Sequence, residues 1–157
     1  MEWYDWLLFL HVASAFILVA GVVLLVAVLL ESRREGGGSF LLRRVSPLAE
    51  MLWNVGGVTV LVFGIWLALH GTPQDYDFFD GWIILAIVLW MIASAAGGPV
   101  TKAYRHARTG AAERGEGAVA AGAGPVAVAD QRAVLLHTVM AVATAALLFV
   151  MIYKPGA

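Results

Sequence analysis

In the stretch WLLFLHVASAF, residues 6 to 16, a single imidazole, His11, stands among Leu, Val, Ala and Phe. Three more histidines and five methionines are spread along the 157 residues, and there is no cysteine. Disulfides, iron–sulfur clusters and thiolate metal sites are therefore excluded, and coordination chemistry rests on imidazole and thioether. These are the ligands that hold haem iron in membrane cytochromes. His11, His70 and Met151 form the candidate set, because each lies towards the same end of an apolar run. His11 is about 7 to 8 Å in from that end and roughly one to one and a half turns deeper than His70. Helix tilt has to absorb this mismatch if the two are to share one iron. The same imidazoles have a plainer reading, His11 as an interhelical hydrogen bonder and His70 as the polar end of its helix.

His137 belongs near the opposite end. Asn54 and Ser94 sit at a matching depth in their own runs, so His137, Asn54 and Ser94, with Thr138 beside the histidine, are expected to form one interhelical hydrogen-bond cluster. Each such bond is worth about 0.6 kcal/mol, rising to about 2, and the cluster requires no cofactor. Ser14, Leu18 and Gly21 follow His11 at helical spacing and mark the face that looks into a bundle. The stripe Gly57, Leu61, Gly64 and Ala68 reads as a close-packing face. Glu50 stands alone, no Ser–His–Asp set or carboxylate pair falls within the runs, and hydrolytic chemistry has no support. Met51, Met91 and Met140 lie at scattered depths and make no copper-conducting ladder.

The elements that must carry these residues are long and apolar. Of the chain, 61% is hydrophobic and 13% charged, against roughly a quarter charged in a soluble domain. The charges collect between four runs, about 6–30, 51–70, 82–98 and 133–153, with Pro99 expected to end the third. The first holds no charge over its 25 residues, which as a helix is about 37 Å, enough to cross a ~30 Å hydrocarbon core. The runs do not alternate, so barrel strands are excluded. An all-α, integral membrane four-helix bundle is predicted, with Asp130 capping the last helix and a flexible Gly–Ala loop over about 109–129.

Nine of the ten basic residues fall in the two connections on one side, and Lys154 is the exception. The positive-inside rule makes that side cytoplasmic and puts both termini outside, in a multi-pass protein of the bacterial cytoplasmic membrane. The loop arginines are accounted for by topology and anionic headgroups, so no nucleic-acid partner is expected. The Gly–Ala loop lacks Walker spacing, which leaves no nucleotide site.

WLLFLHV in the first run, NVGGVTVLVFGIWL in the second, and a last run containing His137 and ending MIYKPG together resemble an uncharacterised bacterial family of four-span integral membrane proteins, domain of unknown function 2269. That family is distantly similar to copper-resistance protein D and to the membrane-embedded protoporphyrinogen oxidase, which binds haem. Carried over residue by residue, the resemblance implies His11 as the haem or metal ligand. The intramembrane lysine of those relatives has no counterpart, since Lys102 and Lys154 lie outside the runs. What the resemblance implies is a small redox-associated membrane protein binding haem b through His11 for electron transfer. The rival readings are a non-catalytic accessory or scaffold subunit, docked to a larger respiratory or transport complex or to further copies of itself, and metal-ion transport.

Overall fold

The computed structural model describes residues 3–35, 40–70, 79–114 and 130–153. Among them every element is a helix: α1 Trp3–Glu35, α2 Phe40–Arg44, α3 Ser46–Leu69, α4 Gly81–Arg114 and α5 Gln131–Tyr153. Four of these, all but α2, are long and apolar enough to cross a membrane. The chain is thus an all-α, four-span protein. Asp130 starts α5 as expected: its carboxylate accepts the Gln131 N–H at 2.7 Å and its carbonyl the Val134 N–H at 3.0 Å. Large apolar side chains face outward from every span, among them Phe16, Val58, Ile84 and Val142. In water that surface would aggregate; in lipid it needs no partner.

The spans pack as two close pairs, α1 on α3 and α4 on α5, joined by lighter α1–α5 and α3–α4 contacts. The α1–α3 pair is antiparallel, and its backbones touch. A Cβ added to Gly21 would stand 2.5 Å from the Trp53 nitrogen, and one added to Gly56 2.5 Å from the Leu18 nitrogen. Lipid supplies no hydrophobic drive between helices, so this approach lets dispersion contacts hold the pair. Gly57, which the sequence places on the packing stripe, meets nothing closer than Leu18 Cδ1 at 3.8 Å; the crossing point is its neighbour Gly56. Trp53 links the pairs: its indole lies where a Cβ on Gly97 of α4 would be, 2.5 Å from Cζ2. Trp90 Nε1 adds a bond to the Gly57 carbonyl at 2.9 Å.

The third span departs from the sequence reading. α4 does not end before Pro99 but runs through it to Arg114. Proline removes one backbone donor and disfavours the helix interior, yet membrane helices tolerate it, and the turns beyond it are tied to other helices. Val100 and Tyr104 are in the core, and Arg108 is bonded to α3. Those contacts outweigh the local breaker. Of the expected loop, residues 109–114 are helical, and 115–129 lie outside the described residues, as does Lys154.

Candidate functional site

Between the two pairs, towards the end where α1 begins and α5 finishes, the spans leave a cavity of about 500 Å³. Sites for small molecules and cofactors are commonly about 300–1,000 Å³, largely apolar, with few polar groups. All four spans line this one, none of the described residues lining it is charged, and it reaches the lipid-facing surface beside Phe16 and Ile152. His11 of α1 and Met151 of α5 both line it; His70 does not. His70 caps α3 at the exposed rim, where Trp3 meets it edge-on at 5.9 Å and Trp66 lies 5.8 Å away, measured between ring centroids. Of the three candidate ligands, the structure brings His11 and Met151 together and leaves His70 in an aromatic cluster.

His11 is held by α3. A Cβ on Gly64 would be 2.9 Å from its Cε1 and 3.3 Å from its Nδ1, so a larger residue there would turn the ring. The Val60 carbonyl interacts with the imidazole, yet Nδ1 is buried without a hydrogen bond of normal geometry. An imidazole and a thioether facing one apolar cavity are a donor set that fits haem iron. Among the described residues no group of three or more His, Asp or Glu side chains could hold a metal ion.

The expected cluster of Asn54, Ser94 and His137 is divided. His137 is 2% exposed; its Nδ1 lies 2.7 Å from its own Ala133 carbonyl and its Nε2 2.8 Å from the Tyr104 hydroxyl. With the hydrogen on Nδ1 donated to Ala133, the single hydroxyl proton of Tyr104 is shared between His137 Nε2 and the Leu25 carbonyl of α1, 3.0 Å away. Asn54 is on the outside of α3 and donates to the Glu50 carbonyl at 2.7 Å. It shares a separate notch of about 190 Å³ with Ser94. The reason for the split is α4: continuing past Pro99, it puts Tyr104 opposite His137 and satisfies the imidazole there.

The same extension supplies a partner that sequence reasoning missed. The Arg108 guanidinium grips Glu50 with both nitrogens, Nη1 to Oε1 and Nη2 to Oε2, the latter at 3.2 Å, and donates to the Ser46 hydroxyl. A forked Arg–carboxylate pair is stronger than a single contact, and Glu50 is 6% exposed. The signal was present in the spacing of Val100, Tyr104 and Arg108 along one helical face. Together Leu25, Ser46, Glu50, Tyr104, Arg108 and His137 tie all four spans together at the end opposite the cavity.

Over residues 5–155 the chain matches the family described as "Predicted integral membrane protein (DUF2269)", and it belongs to that family. No curated protein and no solved structure matches it. The class is therefore an integral membrane protein whose polar network closes one end of the bundle and whose apolar cavity opens near the other.

Proposed function

We propose that the protein binds haem b in this cavity, where His11 and Met151 would hold the iron, and serves as a small electron carrier of the bacterial cytoplasmic membrane with its basic end inside. The observation that carries the proposal is the shared cavity: His11, whose Nδ1 is buried without a hydrogen bond, and Met151 both line one apolar space bounded by four helices. Haem bound there would supply reversible one-electron transfer.

This chain's own residues do the rest. Gly64 gives the imidazole its place against α3. Trp82, Trp90 and the aliphatic lining keep water from the donor atoms. None of the described lining residues is charged, which suits an apolar macrocycle. Titration of the purified protein in detergent with ferric haem tests this. A Soret band saturating at one haem per chain, lost in His11→Ala and altered in Met151→Leu, is expected. Absorbance that rises without saturation, as for haem dissolved in micelles, would leave His11 as an interhelical hydrogen bonder in an accessory subunit.

A further inference from the structure

Asn54 is the polar side chain that the fold leaves on the outside of α3 among apolar ones. It lies one turn, about 6 Å, deeper than Glu50, and is exposed between Met51, Val55, Val58 and Val62, all of which also face outward. Its amide makes one hydrogen bond among the described residues, to the Glu50 carbonyl. One N–H and the Oδ1 acceptor are left over, and hydrocarbon can satisfy neither. Beside the amide is the notch between α3 and α4, floored by Gly57 and Gly98 and edged by Ser94. Of the four spans, α3 is the least covered by the rest of the chain.

We infer that this face of α3 is the contact with a second copy of the same chain, made across a two-fold axis through the paired Asn54 amides. The argument for a second copy is one of depth and chemistry. All copies insert with one orientation, so a two-fold axis stands along the membrane normal, runs the two α3 helices parallel and sets each residue at the depth of its twin. A carboxamide has a donor and an acceptor and is its own complement. Asn54 thus meets at its own depth a group that satisfies both its unused atoms. The stripe Met51–Val55–Val58–Val62 packs against its copy, and the notch gives room for an apposed side chain.

The chain has no cysteine, which makes the test direct. Val58→Cys and, as a control on the outward face of α5, Val142→Cys are oxidised in membranes of expressing cells, and the products are separated without reductant. The Val58→Cys protein should form a disulfide-linked dimer and the control should not. Adding Asn54→Val to Val58→Cys should cut cross-linking at least about fivefold, the effect of removing an intramembrane amide pair. Adding Asn54→Gln instead, which keeps the amide, should restore part of it. Retention of the monomer's elution volume and helical circular dichroism in Asn54→Val separates loss of dimer from loss of fold. Cross-linking at Val58 no faster than at Val142, or unchanged by Asn54→Val, would overturn the inference. So would a monomeric mass with bound lipid, or capture of a different protein at this face.

Discussion

Two adjacent glycines of α3 give opposite expectations for the same substitution. At Gly56 the added methyl group would stand 2.5 Å from the Leu18 nitrogen and 2.7 Å from its Cα. Ordinary contact begins at 3.4 Å, so α1 has to withdraw by about 0.9 Å, the difference of the two distances, and the shift runs along the whole crossing. Overpacking of this kind costs about 1–3 kcal/mol, and the gain of up to about 1 kcal/mol in helix propensity offsets only part of it. At Gly57 the nearest atom is Leu18 Cδ1 at 3.8 Å, which already allows a methyl group. Gly56→Ala should therefore destabilise by about 1–2 kcal/mol, whereas Gly57→Ala should be neutral or stabilising by up to about 1 kcal/mol. Gly21→Ala meets Trp53 backbone across the same crossing. Its combination with Gly56→Ala should be less than additive, because one withdrawal makes room for both methyl groups. Reversible unfolding in mixed detergent, followed by circular dichroism, gives the three numbers. Equal effects at Gly56 and Gly57, or strict additivity of Gly21 with Gly56, would refute the close crossing.

Glu50→Leu should destabilise by about 3 kcal/mol, since it strands a largely buried guanidinium, and adding Arg108→Leu should recover part of that loss; unfolding of the two proteins compares them. A double-mutant cycle of Tyr104→Phe with His137→Leu should give a coupling of about 0.6–1.7 kcal/mol, while Asn54→Leu with His137→Leu should add within about 0.5 kcal/mol, because those two side chains have different partners. Gly64→Ala should weaken haem binding severalfold in the absorbance titration by turning the His11 ring, with the fold retained.

The spans were legible in the sequence because lipid imposes a blunt rule: an unbroken apolar run of about 20 residues has to be a helix. The face of α1 was legible too, and Leu18 and Ser14 are buried where helical spacing put them. The limits came from reading residues one run at a time. Read within its own run, Pro99 is a terminator, which removes Tyr104 and Arg108 from the bundle and leaves Glu50 alone and His137 without its tyrosine. Whether a helix crosses a proline depends on what lies beyond it, here a tyrosine and an arginine with partners on three other helices. Depth counting placed His11, His70 and Met151 near one end but could not tell which azimuth each occupies. His70 turns to Trp3 and Trp66, and that depends on how α1 packs against α3.

Haem held by His11 and Met151 between the helix pairs, as proposed, has a spectroscopic signature. A dithionite-reduced minus air-oxidised difference spectrum of membranes from haem-replete cells expressing the chain tests for it most directly. B-type absorption bands should scale with the amount of protein, vanish in His11→Ala and persist in His70→Ala, with Met151→Leu shifting the reduction potential. Membranes rich in the protein whose difference spectrum matches that of cells lacking it would contradict the proposal.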